Sequence, residues 1–172
     1  MRVSSPWAPA KPRSAVRGGF RARSVAALGT LAVVTPVLAA CTSAETVQPA
    51  PSATDPGCAQ VMLDLPKELD GLEKRTTTSQ ATAAWGDPAR IILRCGTKDR
   101  GPTSDPCTTV GEVDWVSTEE SETKWRMTAY GRVPGIEVNL DTEHVSSSNV
   151  AEALAEAVKN VPAEKKCQEA PR

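Results

Sequence analysis

Aromatic residues are scarce here: four Trp, one Tyr and one Phe among 172 residues. Histidine occurs once, as His144. No Cys-x-x-Cys pair, Gly-x-Ser-x-Gly elbow or glycine-rich phosphate loop is present. These absences argue against a zinc site built from closely spaced ligands, an elbow-type serine hydrolase and a phosphate-cradling loop. No metal or other cofactor is expected. The first forty residues contain no Asp or Glu. Their six Lys/Arg lie between Arg2 and Arg23, and Ser24 to Ala40 is uncharged and rich in Ala, Val and Leu. That run is too short and too weakly flanked for a stable spanning helix.

The end of that run carries the sharpest signal in the chain. Leu38-Ala39-Ala40-Cys41 is a lipobox pattern, in which small residues precede a cysteine that takes lipid on sulfur and becomes the new N-terminus. Residues 1–40 therefore read as a lipoprotein signal peptide and Cys41 as the lipidation site. The expected location is the extracytoplasmic face of the cell membrane, with the lipid as the membrane contact. The remaining 132 residues hold 14 Lys/Arg against 21 Asp/Glu, a formal charge of −7. Such an acidic domain has no electrostatic reason to seek nucleic acid.

A length of 132 residues fits one domain. With only Trp85, Trp115, Trp125 and Tyr130 as aromatics, its core must come from Val, Leu, Ile and Ala, and covalent support is expected. Cys58, Cys95, Cys107 and Cys167 are an even set, hence two disulfides with three connectivities. Cys95–Cys107 with Cys58–Cys167 is favoured. Gly101-Pro102 and Asp105-Pro106 can reverse the chain within the first loop, and the second bridge would tie the domain's start to its end.

Residues 41–57, poor in apolar side chains, read as the lipidated cysteine and a flexible linker. Residues 58–167 then form the domain and 168–172 a tail. Asp55-Pro56 opens a short helix from Cys58 to Leu65, stopped by Pro66. Strands are expected at Leu72 to Thr78, Arg90 to Cys95 and Val113 to Ser117, with a turn at Trp85-Gly86-Asp87-Pro88. Two alternating runs within 124–141 flank a Pro/Gly loop and predict a hairpin with one buried face. Asn149 opens the clearest helix, with Glu152 at the capping-box position and an apolar stripe of Val150, Leu154, Ala157, Val158 and Val161. Laid over the hairpin, it gives an α+β fold: a small antiparallel sheet covered by a C-terminal helix, with two disulfides.

Cys58, Trp85-Gly86-Asp87-Pro88, Leu93-Arg94-Cys95-Gly96, a proline-containing loop ending at Cys107, Val113-Asp114-Trp115 and Tyr130-Gly131-Arg132-Val133-Pro134 carry a resemblance. Together they resemble the actinobacterial family named as domain of unknown function 3515, over about residues 58–141 and the C-terminal helix. The resemblance implies an exported, membrane-attached protein and brings no catalytic residues.

Arg94, Asp114, Trp115 and Arg132 are the sharpest candidates for a ligand site, because each sits on or beside an apolar strand where long polar side chains are usually excluded. Two arginines there could clamp a carboxylate or phosphate. The competing reading, which carries more weight, is that they pair with each other or cap backbone groups to hold a small core together. His144 reads as a solvated loop residue, and Glu119, Glu120 and Glu122 as a wet turn. The expectation is a non-catalytic binding or accessory module for an envelope protein or cell-wall component. A small envelope hydrolase or transferase is the alternative, and a structural spacer the third.

Overall fold

Alternation of apolar and polar residues builds the sheet. A computed structural model describes residues 43–167, and Cys41, the leader and the 168–172 tail lie outside them. The chain runs α1 (Gly57–Asp64), β1 (Glu68–Leu69), β2 (Leu72–Arg75), β3 (Thr82–Trp85), β4 (Ile91–Thr97), β5 (Cys107–Val110), β6 (Val113–Ser121), β7 (Lys124–Ala129), β8 (Gly135–Asp141) and α2 (Ser147–Val158). The strands form an eight-stranded sheet in the order β1-β2-β3-β4-β8-β7-β6-β5. Every strand pair is antiparallel. Two four-stranded meanders are joined where β4 pairs with β8. The fold is α+β, with more strands than the sequence patterns had marked: β1, β3 and β5 are too short to show a period.

The predicted hairpin forms, with Met127 opposite Val138 and Trp125 opposite Leu140. Met127, Val138 and Leu140 join Trp85, Ile91 and Leu93 in one buried cluster. Val150, Leu154, Ala157, Val158 and Val161 complete it from the C-terminal helix and its exit. That helix approaches α1, β5 and β6 rather than lying directly over β7 and β8. Trp85 and Trp115 are the bulkiest members of the cluster, which compensates for the aromatic-poor composition.

The cap of α2 differs from expectation. Ser146, not Asn149, is the N-cap, and its hydroxyl accepts from the Asn149 N–H. Asn149 is engaged elsewhere: its Nδ2 donates to Asp70 Oδ1 at 2.8 Å, while the Ser146 N–H donates to Asp70 Oδ2 at 2.7 Å. The β1–β2 turn thus fixes the helix start.

The 41–57 linker expectation is corrected over 43–57. The Glu45 N–H donates to the Thr76 carbonyl at 2.8 Å, and the Thr78 N–H to the Glu45 carbonyl at 2.9 Å. The Ser52 N–H donates to the Gly96 carbonyl at 2.9 Å. Gly96 has φ +95°, and a Cβ there would fall 2.3 Å from the Ser52 backbone, so a side chain would block this approach. Val47, Ala50 and Ala53 are buried. Small residues that look like a linker by composition instead allow close backbone packing.

The disulfides are Cys58–Cys95 and Cys107–Cys167, with Cα–Cα distances of 5.7 and 6.3 Å. The favoured Cys95–Cys107 and Cys58–Cys167 pairing is therefore wrong, for a reason that lies in strand order. Strands β4 and β5 stand four positions apart, roughly 19 Å at about 4.8 Å per strand. A disulfide needs Cα atoms within about 7 Å. Residues 98–106 do not reverse the chain at all; they carry it across β8, β7 and β6 to the far edge. Nine residues reach about 30 Å, enough for that crossing.

Candidate ligand-binding site

The four residues singled out from sequence do not converge. Arg94 and Glu137 are cross-strand partners on β4 and β8, on the sheet face away from the core cluster. Arg94 Nη2 donates to Glu137 Oε1 at 2.8 Å, and Asn139 Nδ2 to the same oxygen at 3.3 Å. Arg126 reaches Glu137 at 3.8 Å and Glu120 at 2.8 Å. Alternating charges thus cross four strands, each sign beside its opposite. Glu119, Glu120 and Glu122 are exposed, the first two on the end of β6 and the third in the turn after it.

Arg132 performs a different task. Its side chain is buried against the end of α2, with Nη1 donating to the Val158 and Val161 carbonyls and Nη2 to the Glu112 carbonyl. A cation at a helix C-terminus suits both the orphan carbonyls and the helix dipole. Burial lowers the pKa of Arg132 from its ordinary value, while the nearby Asp114 charge opposes that shift. Asp114 accepts from Thr109 Oγ1 at 2.6 Å and from the Cys167 N–H at 2.8 Å. Trp115 is core, 2 % exposed. Each of these side chains has a partner or a packing role, so the structure places them as parts of the scaffold.

A second cluster, Asp141, Glu143 and His144, brings three potential ligand atoms within 4.8 Å. Asp141 Oδ2 accepts from Arg90 at 2.6 Å and Lys124 at 2.8 Å, and His144 Nδ1 lies 3.3 Å away. The Lys124 ammonium, then Arg90 and His144, hold this carboxyl well below the usual range despite opposing desolvation. With two cations already on the oxygen, the cluster is an ion-pair junction. A groove of about 690 Å³ lies beside β2, with Lys67, Lys74 and Arg75 among its lining residues. Its Arg75 reaches Glu45, Asp87 and the Gly86 and Ser43 carbonyls.

A second cavity lies at the far edge of the sheet. Half-open and of about 1020 Å³, it lies between residues 102–106 of the crossover, β5 and residues 165–167. The C-terminal segment is strapped there: Arg132 bridges to Ala163, the Glu164 N–H donates to the Gly131 carbonyl at 2.7 Å, and Cys167 is bonded to Cys107. The crossover is pinned by Asp105, which accepts from Arg100 and, at 3.0 Å, from Thr118 Oγ1. Val116, Pro102 and Pro106 give the cavity lining its apolar surface, and Tyr130, Lys165 and Lys166 give it polar groups. Lys165 is paired with Asp99, which raises the pKa of the lysine and lowers that of the aspartate. Lys166 is exposed and has no ion-pair partner among the described residues. Mixed apolar walls with a few polar groups are the usual character of a binding pocket, and this volume is near the upper end of the range.

Sequence reading missed this site. Its residues come from four separated stretches, brought together by strand pairing, by the hydrogen bonds of the C-terminal segment and by the bond between Cys107 and Cys167. Knowing that pairing would have placed Lys165-Lys166 beside β5.

Fold and site define a disulfide-stapled α+β domain with a pocket at one sheet edge. The chain belongs to the family described as protein of unknown function (DUF3515), whose sequence profile matches residues 22–167. No curated protein and no solved structure matches it.

Proposed function

We propose that this protein is an extracytoplasmic lipoprotein whose domain is a non-catalytic binding module, offering the edge pocket to an envelope protein or cell-wall component. The observation that carries the reading is Leu38-Ala39-Ala40-Cys41 after a basic, acid-free leader. The family match extends back through residues 22–41, which accords with the leader being part of the protein's design. A lipid on Cys41 would sit two residues before the first described residue, Ser43, whose carbonyl is held by Arg75 at 3.0 Å. A lipid at that position would keep the domain close to the membrane surface.

Support for a binding role comes from the pocket's chemistry. Asp105 is occupied by Arg100 and Thr118, both cysteines there are bonded, and His144 belongs to the Asp141 junction. Apolar walls beside the exposed Lys166 ammonium suit the binding of a partner that carries negative charge. Cys41→Ala should abolish acylation and release the protein from the membrane fraction. Membrane retention at an unchanged mature mass would refute the anchor.

A further inference from the structure

We infer that the pocket takes an extended peptide carrying a carboxylate, which adds to the sheet as a ninth strand beside β5. This deepens the binding-module reading and rests on it.

The edge itself makes the first argument. The Ser117 N–H donates to the Pro106 carbonyl at 3.1 Å, and Cys107, Thr108, Thr109 and Val110 stand opposite Val116, Trp115, Asp114 and Val113. In an antiparallel ladder, hydrogen-bonded and non-bonded pairs alternate. Pro106, Thr108 and Val110 therefore face β6, and Cys107 and Thr109 turn their N–H and C=O groups outward. Among the described residues these groups have no partner, and both residues are exposed. Natural sheet edges are normally blunted by charge, proline or a bulge. No residue of β5 is charged or proline, whereas at the opposite edge β1 has two residues and includes Glu68.

The pocket makes the second argument. Cys107 and Thr109 line it together with Lys165 and Lys166. A chain pairing with the outward groups of β5 would send alternate side chains toward this cavity, because successive residues of a strand face opposite ways. Two lysines at the same place favour an occupant with negative charge, and the unpaired Lys166 supplies the attraction. Main-chain bonds to a sheet edge with side-chain pockets beside it form a general mode of peptide recognition. Gly111 keeps the edge seated: it opens the β5–β6 turn with φ +56°, and a Cβ there would fall 2.4 Å from the Ala155 Cβ of α2.

The test uses the full chain purified in detergent with both disulfides intact. A library of acetylated hexapeptides with free C-terminal carboxylates is screened by fluorescence polarisation, alongside the amidated set. Carboxylate peptides should bind, amidation should weaken them, and binding should protect the Cys107 and Thr109 amides from hydrogen exchange. Lys166→Glu, at an exposed site that leaves the fold intact, should weaken binding about tenfold. Thr109→Pro removes one outward donor and should abolish it. No binding across the library, binding without protection at Cys107 and Thr109, or affinity unchanged by Lys166→Glu would each overturn the inference. Self-association through β5, seen by sedimentation and lost in Thr109→Pro, would overturn it in favour of a second copy. Because Cys41→Ala fractionation is independent of these assays, failure here leaves the lipoprotein reading standing.

Discussion

Asp141 shows how much one carboxylate does in this sheet. It ends β8, takes Arg90 and Lys124 on a single oxygen, and its backbone carbonyl accepts from the His144 and Val145 N–H groups of the next turn. Its folded pKa lies below the ordinary value near 4, so the fold favours the ionised form. That contribution is complete above the ordinary carboxylate range and is lost as pH falls toward the folded value. Asp141→Asn should therefore lower the urea midpoint at pH 7, and the gap between wild type and mutant should narrow steadily from about pH 5 to about pH 2. Urea titrations at neutral, mildly acidic and strongly acidic pH check this; a gap independent of pH would contradict it. Arg94 offers a second check. Removing it leaves Glu137, whose side chain is 11 % exposed, with only Asn139 and a distant Arg126. Arg94→Ala should cost about 1–2 kcal/mol, below the roughly 3–5 kcal/mol of a fully buried pair. A thermal melt unchanged by Arg94→Ala would remove that residue from the scaffold.

At the scale of elements, the C-terminal strap is the piece that makes the pocket. It is held by the Cys107–Cys167 bond, the Glu164–Gly131 hydrogen bond and the Asp114–Cys167 hydrogen bond. Closing a loop with a sequence separation of 60 is worth about 4 kcal/mol on the chain-entropy account, as is the Cys58–Cys95 loop of 37. The two bridges act on different parts. Cys58–Cys95 staples α1 to the core face of β4, while Cys107–Cys167 staples the strap to the edge. Replacing Cys107 and Cys167 together by Ser should lower stability by up to that amount and speed hydrogen exchange in 163–167 while leaving β4 and β8 protected. Replacing Cys58 and Cys95 should instead loosen α1. Non-reducing peptide mapping should recover Cys58 with Cys95 and Cys107 with Cys167.

For the whole molecule, the domain starts well before the point its composition marks. Residues 43–56 supply Val47, Ala50 and Ala53 to the buried set and pair with Thr76, Thr78 and Gly96. Burial of one valine and two alanines is worth on the order of 3 kcal/mol. A fragment beginning at Gly57 should unfold at lower urea than one beginning at Cys41→Ser, with a difference of about that size. Equal midpoints would return 43–56 to the status of a tether.

The local features were readable because they depend on neighbours in the chain. The 124–141 alternation, the α2 stripe and the Pro66 stop all rest on spacing within a few residues. The even cysteine count announced two bridges from composition alone. Strand order decided everything at longer range. It put four strand spacings between Cys95 and Cys107, so the pairing favoured from loop length was unavailable. It sent residues 98–106 across the sheet as a crossover instead of a turn. It gave Arg94 to Glu137 and Arg132 to the end of α2, because the side of a strand on which a residue falls, and its partner there, depends on a neighbour far away in sequence. It also left β5 at an edge beside two lysines from the other end of the domain. Local spacing fixes elements, but only the order in which strands meet fixes which side chains share a face.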